Sequence, residues 1–556
     1  MAQGGTTGGV RKSLYQFSYR RSPEQDGAPA RHPVVVVGAG PVGLACAIDL
    51  ARRGVPVVVL DDADRIGEGS RGICYAKRTL EILDRLGLGE ACRDQGVTWK
   101  LGRVFQGHGE VYNFDLLPES GHKMPAFVNL QQYYLEHHLV TRAQALADGG
   151  GAGIELRWRN RVTGIAQESA GVTLTIETPE GSYGLQADWV VAADGARSAC
   201  RDLMGLAFEG EVFEERFLIA DVKMKGEFPA ERWFWFDPPF HEGRSALLHK
   251  QPDDVWRIDL GLGAQADARE EQKPERVIPR IRQMLGHENF SLEWVSVYTF
   301  QCRRLARFVH DRVVFAGDAA HQVSPFGARG ANSGIQDAEN LAWKLAAVIR
   351  GEADTRLIAS YDHERIAAAD ENIGHSTRST DFIAPRTPQE TRFRDAALAL
   401  AARADFARRM VNSGRLSAPT TYHDSPLSTP DDAQWAGVAE LGAPAPDAPM
   451  HRPDGSPCWL LEALDGACTL LHMPGDGALL PDHPQARMLV IGRDLIDAEG
   501  VFARRYDATP GATWLIRPDQ HLAARWRSAT GDAVERAIAR VFGRGQGVPA
   551  VGADRA

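Results

Sequence analysis

Two rhythms of apolar residues run along this chain. Continuous runs at Pro33-Val34-Val35-Val36-Val37 and Val57-Val58-Val59-Leu60-Asp61, and later at Asp188 to Ala193 and Arg312-Val313-Val314-Phe315-Ala316, predict strands buried on both faces of a parallel sheet. Between the first two, Val42 to Arg53 reads as a helix stopped by Gly54, which makes a βαβ unit of about 30 residues. Further helices are predicted at Lys77 to Leu86, Gln131 to Leu146 and from Gly334 through about residue 412. Alternating segments fill 154–187. From 208 to 305, short runs such as Arg232-Trp233-Phe234-Trp235-Phe236 and Val255-Trp256-Arg257-Ile258-Asp259-Leu260 predict a mainly antiparallel sheet.

The fold class that follows is α/β. A flexible arm (1–32) precedes a Rossmann-like dinucleotide-binding domain split in two (33–207 and 306–416). An antiparallel-sheet substrate domain (208–305) is interleaved between its parts. A linker rich in Pro, Asp, Ser and Ala (417–449) then leads to a small α/β tail (450–556), and a chain of 556 residues has room for several such units. A net charge of -10 with no long basic run excludes a nucleic-acid partner. The 7 cysteines are scattered, with no CxxC and no metal-like His spacing, so no metal is expected and a reducing cytoplasm suits the chain. The twin Arg20-Arg21 is not followed by the apolar run of an export signal, and no segment approaches the roughly 20 apolar residues of a membrane span.

Three motifs carry the chemistry. In Gly38-x-Gly40-Pro41-Val42-Gly43, directly after the first strand, the first glycine permits the tight turn, the second admits a pyrophosphate to the backbone, and the third lets helix and strand pack closely. The helix N-terminus then favours the phosphates. Asp61, with Asp62 as its rival, ends the second strand about where a ribose-binding carboxylate belongs. Asp194-Gly195-Ala196-Arg197-Ser198-Ala199-Cys200-Arg201 and Gly317-Asp318-Ala319-Ala320-His321 follow in an order and at separations that fit one dinucleotide held along its length. No second GxGxxG stands between 190 and 320, so a nicotinamide coenzyme has no separate domain of its own.

With these motifs the chain resembles the class A FAD-dependent aromatic hydroxylases, the single-component flavoprotein monooxygenases related to para-hydroxybenzoate hydroxylase and phenol hydroxylase. Asp194-Gly195-x-x-Ser198-x-x-Arg201 is similar to that family's DG motif and Gly317-Asp318-x-x-His321-x-x-x-Pro325 to its GD motif. The resemblance spans residues 33 to about 415 and implies bound FAD, with NADPH or NADH as a transient co-substrate. It also implies that O2 reacts through a flavin C4a-hydroperoxide whose distal oxygen attacks an aromatic, phenolic ring. Asp318 would hold the ribityl chain, and Asp194 and Arg201 the flavin and coenzyme. The loop Pro325-Phe326-Gly327-Ala328-Arg329-Gly330-Ala331-Asn332 would bring N–H groups to the isoalloxazine edge, with Phe326 at the substrate. Gln132, or Gln131 one register away, would face the flavin, and Arg71 would lie along the dinucleotide. The tail resembles the thioredoxin-like domain of phenol hydroxylase-type members, notably at Gly511 to Asp519; lacking CxxC it is read as structural, with a homodimer contact as its expected use.

On the substrate side no motif fixes a residue. A phenol activated by proton loss needs a base in the middle sheet, and His249, after Leu247-Leu248, is the candidate. Either Trp233 and Trp235 or Phe234 and Phe236 wall the pocket, and Arg257 is placed to meet a substrate carboxylate. Two other readings stand beside aromatic hydroxylation: a flavin reductase or dehydrogenase without oxygen insertion, and a tailoring oxygenase of polyketide or antibiotic scaffolds.

Overall fold

The computed structural model describes residues 15–27, 29–67, 72–150, 152–226, 228–411, 416–476 and 480–544. In chain order, β1 (Arg31–Val37), α1 (Pro41–Arg52) and β2 (Val57–Asp61) form the first βαβ unit. The hairpin β3 (Leu101–Gln106) and β4 (Gly109–Asp115) precedes α2 (Gln132–Asp148), β5 (Ile154–Trp158) and β6 (Gly181–Ala192). Next come β7 (Phe208–Lys223), β8 (Arg232–Phe236), β9 (Ser245–Lys250), β10 (Val255–Gly261), β11 (Ser291–Leu305) and β12 (Val313–Phe315). Two long helices follow, α3 (Gly330–Ile349) and α4 (Arg356–Ile383), then the tail strands β13 (Thr469–His472), β14 (Arg487–Val490), β15 (Thr513–Ile516) and β16 (Leu522–Trp526) and the helix α5 (Gly531–Val541).

The valine runs pair as their two-sided burial demands: β12, β6, β1, β2 and β5 lie side by side and all parallel. Their core continues into α1, α2 and α3. The second sheet has the order β11-β7-β10-β9-β8-β3-β4 from its inner strands to the edge, antiparallel except where β8 meets β3. The hairpin 101–115 thus belongs to the substrate sheet, although it lies far upstream of residue 208 in sequence. The outer face of the substrate sheet packs Trp256, Ile258 and Leu260 of β10 on Val277 and Ile281 of the helix Pro274–Leu285. Its inner face looks toward the first sheet.

Two parts of the sequence pattern look different in three dimensions. The second half of the arm is packed, with Phe17 stacked on Trp158 at 4.3 Å and Glu24 paired to Arg157 at 3.0 Å. The tail has its own mixed sheet, β14-β13-β15-β16, but is joined to the body by buried ion pairs, with Arg517 on Glu364 of α4. No described helix is long and apolar enough to cross a membrane.

Candidate active site

Where the two sheets face each other lies a cavity of about 590 Å³, lined by Gly38, Gly40, Pro41, Val42, Asp61, Asp62, Gln132, Asp194, Arg197, Asp318, Pro325, Phe326 and Gly330 to Asn332 on one side and by the substrate sheet on the other. The three motifs, distant in sequence, meet here because β1, β6 and β12 end side by side. A larger hollow of about 1250 Å³, lined by Tyr112, Phe382, Phe393 and Arg394 among others, touches none of them.

Gly38 turns at φ +107, and a side chain there would run into the backbone of Ala193. Gly40 is the helix N-cap at φ -78, and a Cβ on it would meet nothing within 4 Å, so the cavity reaches the backbone itself. Gly43 and Gly317 do not line the cavity. They are packing positions, Gly43 against the Gly38 carbonyl and Gly317 against Val42. Asp61 accepts from the N–H of Ala39 at 2.6 Å and of Ala63 at 2.9 Å; burial raises its pKa against those bonds. Asp194 accepts from Ser198 Oγ at 2.6 Å and from the N–H of Cys200 at 2.9 Å, fixing the DG turn. α1 and α3 both bring their N-terminal ends to the cavity, two positive dipole ends suited to an elongated anion. Carboxylates at Asp61, Asp62 and Asp318 suit sugar hydroxyls beyond the phosphates. This donor set fits an extended dinucleotide.

Several expectations change. Arg201 is turned away from the cavity: its guanidinium lies 4.3 Å from the Phe208 ring and donates to Ala319 and Ala196 carbonyls, tying the GD and DG loops together, while Arg197 lines the cavity. Of the two glutamines, Gln132 lines the cavity and accepts from the Gly72 N–H at 2.9 Å, whereas Gln131 donates to the Pro252 carbonyl. Asn332 clamps the strand Cys74–Ala76, accepting from Ala76 and donating to Cys74. Arg71 lies outside the described residues. Trp233 and Trp235 do not wall the cavity; strand alternation sends them to the outer face with Phe228 and Phe240, and Phe234 and Phe236 to the inner core with Phe326. Arg257 is neither solvated nor awaiting a carboxylate, since Asp221 takes its fork at 2.8 and 2.9 Å.

His249 does line the cavity, but burial and the adjacent Arg232 and Arg257 hold its pKa well below the usual value, so it is a neutral ring and a weak base. Asp259 is the more basic anion-forming group: burial first, then Asp221, push it up to about 6 against the pull of Arg257 and Arg232. It faces the cavity, and its Oδ1 has no hydrogen-bond partner among the described residues. The sequence signal for it was the parity of β10, which puts Arg257 and Asp259 on the face opposite Trp256, Ile258 and Leu260. That polar face reads as solvent until a second layer covers it.

Beneath the GD turn, Asp337 of α3 accepts from the Gly317 N–H at 2.9 Å, pairs with His321 Nε2 at 2.7 Å and takes Arg365 Nε at 2.6 Å. Burial opposes its charge, but His321 and Arg365 keep its pKa below the usual range. The motif histidine is thus a support for the turn. Asp337→Asn is expected to cost about 1–3 kcal/mol by leaving buried donors unmatched, read as a lower urea midpoint, with faster FAD release as the turn loosens.

The FAD binding domain family matches residues 31–376. A flavin-dependent monooxygenase of Mycobacteroides abscessus is 33% identical over 365 residues, 62% of this chain and 73% of that protein. A 12-dehydrotetracycline 5-monooxygenase/anhydrotetracycline 6-monooxygenase of Streptomyces rimosus is 30% identical over 537 residues, 92% of this chain and 99% of that protein. Among solved structures, the flavin-dependent monooxygenase PieE in complex with FAD and substrate superposes with a TM-score of 0.78 at 24% identity, covering 93% of this chain and 100% of that one. At that identity the likeness concerns the fold.

Proposed function

Because this chain belongs to the class A FAD-dependent aromatic hydroxylases, we propose that its cavity holds a phenolic ring with the hydroxyl at Asp259, facing FAD laid along the three motifs. The enzyme is a monooxygenase: one atom of O2 enters the aromatic substrate, the other leaves as water, and NAD(P)H supplies the two electrons. When bound, FAD would supply the hydride-accepting and oxygen-activating chemistry; the side chains bind, orient, exclude water and move the substrate proton.

In this reading Gly38, Gly40, Pro41 and Val42 receive the pyrophosphate at the α1 N-terminus. Asp61 or Asp62 takes the ribose, Asp194 and Arg197 flank the middle of the cofactor, and Asp318 takes the ribityl chain. Pro325 and Gly330 to Asn332 border the ring system, with Gln132 across from them, and Phe326 meets the substrate. The carrying observation for substrate activation is Asp259, a carboxylate in the cavity with an unmatched oxygen. Taking the phenol proton leaves an electron-rich phenolate for attack. His249, neutral, serves as a hydrogen-bond partner rather than as the base.

The sign of the pH dependence follows. Asp259 is a base only when ionised, so kcat/KM for a phenol should rise through about pH 6 and fall below it. Asp259→Asn is expected to flatten that limb and lower kcat/KM by about 10²–10⁴-fold, while flavin reduction by NAD(P)H proceeds. An unchanged profile in the variant would return the role to another group. Incorporation of oxygen-18 from O2 into the product separates hydroxylation from a reductase activity.

A second reading of the substrate has its own observation. The relative aligned over 92% of this chain is named for tetracycline-type substrates, so a fused polycyclic phenol is the alternative to a single ring. The homodimer reading is left resting on the tail alone, whose Arg517–Asp519 segment is engaged within the chain itself.

A further inference from the structure

Across four neighbouring strands of the substrate sheet, one register line reads Arg232, His249, Arg257, Asp221. All but Asp221 line the cavity. Arg257 and Asp221 satisfy each other, with Gln251 donating to Asp221 at 3.2 Å. His249 has Cys74 Sγ at 3.9 Å from its Nδ1. Arg232 stands apart: it is 6% exposed, lines the cavity, and its guanidinium makes no hydrogen bond or ion pair among the described residues.

A guanidinium stays charged, and burying one without a partner is unfavourable for folding. The other charged groups facing this end of the cavity do not supply the partner. Asp221 is taken by Arg257, and Asp259 lies two register lines further along and two strands away, with no ion pair to Arg232 among the described residues. Asp259 feels the Arg232 charge from a distance but does not bond to it, so the guanidinium lines this end of the cavity with its donors unmatched among the described residues, where a planar anion gains two charge-assisted hydrogen bonds.

We propose that Arg232 anchors an anionic oxygen group carried by the aromatic substrate, a carboxylate or a phenolate, and so selects an acid rather than a neutral ring. This rests on the reading of the cavity as the substrate site and deepens it: the acid engages Arg232 on β8, and the hydroxyl to be activated engages Asp259 on β10. Specificity follows from desolvation, because a neutral substrate of the same shape leaves the arginine buried and unmatched.

The test is binding to the FAD-loaded enzyme, followed by flavin fluorescence, of hydroxyarene acids (3-hydroxybenzoate, 4-hydroxycinnamate, 3-hydroxy-2-naphthoate) against their carboxamides. Ionised 4-nitrophenol serves as the phenolate arm. At least one anion is expected to bind about 10–100-fold more tightly than its neutral counterpart, the acids identifying a carboxylate site and 4-nitrophenolate alone a phenolate site. Arg232→Met should bring the two within about threefold and Arg232→Lys should lie between. A merely structural arginine would lower the Tm when removed, whereas Arg232→Met is expected to hold or raise it, since it relieves a buried charge. Equal binding of anions and neutral analogues, no anion bound at all, or a preference that survives in Arg232→Met would overturn the proposal. Loss of FAD from Arg232→Met with the preference intact would do the same, by assigning the arginine to the cofactor. A preference abolished by Arg232→Met, alongside normal turnover in Asp259→Asn, would sink the base assignment and leave the anion site standing.

Discussion

Arg517→Ala is expected to destabilise the protein by about 3–5 kcal/mol, the usual cost of removing one partner from a buried ion pair. Arg517 is 1% exposed by side chain and spans two carboxylates, donating to Glu364 at 2.5 and 3.0 Å and to Asp519 at 2.5 and 2.9 Å. Glu364 also receives Lys344 at 2.7 Å and Ser425 at 2.5 Å. Without the arginine, Glu364 and Asp519 face each other, Glu364 keeping Lys344 at 2.7 Å and Asp519 keeping His521 at 3.5 Å, and lysine cannot fork between the two carboxylates. The damage should not stay in the tail. Glu364 is followed on α4 by Arg365, which donates to Asp337 under the GD turn and to Tyr422 Oη of the linker at 2.8 Å. Loss of tail docking is therefore expected to lower FAD content together with Tm, and to open residues 416–449 to proteases. The acid side gives a second readout. Burial opposes the charge on Glu364, yet Arg517 and Lys344 win and hold its pKa well below a free glutamate's. Its stabilisation is thus present above the unfolded pKa, about 4.3, and fades as pH falls below it. Arg517→Ala should shift the acid unfolding limb to higher pH. A variant with wild-type Tm, FAD content and acid limb would mean that the tail is held by its apolar contacts alone.

The parallel sheet and the cofactor wall were legible because each rests on local rules. Valine runs mark strands covered on both faces, and the glycine spacing marks a turn at Gly38 that side chains cannot make, an open approach to the backbone at Gly40 and a close helix–strand contact at Gly43. What the sequence hid is non-local. The hairpin 101–115 joins a sheet whose other strands begin more than 90 residues later, and no periodicity announces that partnership. Arg232, Arg257 and Asp259 look like the wet side of a half-buried strand; only the apposition of the two layers turns that side into a cavity wall. The same ambiguity left Trp233 and Trp235 level with Phe234 and Phe236 as wall candidates, since alternation gives two faces without saying which one meets the site; neither pair lines the cavity. Asp337 and Arg517 carry no motif, because a buried ion pair joins residues whose spacing in sequence is arbitrary. His249 was found by position, but its chemistry is non-local: burial, and then two neighbouring guanidiniums contributed by adjacent strands, hold its pKa well below the usual value.

The glycine turn allows the cofactor site to be tested separately from the fold. Gly43→Ala places a Cβ inside the van der Waals radius of the Gly38 carbonyl oxygen, and neither backbone can retreat, because α1 and β1 are packed on both sides. That variant is expected to lose FAD and stability together, with overpacking costing about 1–3 kcal/mol or more. Gly40→Ala differs. Its backbone, φ -78 and ψ -179, is ordinary for alanine, and the added methyl meets no protein atom within 4 Å. The FAD-free protein should keep its urea midpoint, within the roughly 0.5 kcal/mol of a harmless substitution. The methyl does occupy the space through which a pyrophosphate reaches the N–H groups at the start of α1, so FAD affinity is expected to fall about 10–100-fold, or about 1.4–2.8 kcal/mol. Equilibrium dialysis of FAD against both variants, with urea unfolding of the stripped proteins alongside, reads the two effects independently. Unchanged FAD affinity in Gly40→Ala would move the pyrophosphate away from this turn and remove the main support for laying the dinucleotide along the three motifs.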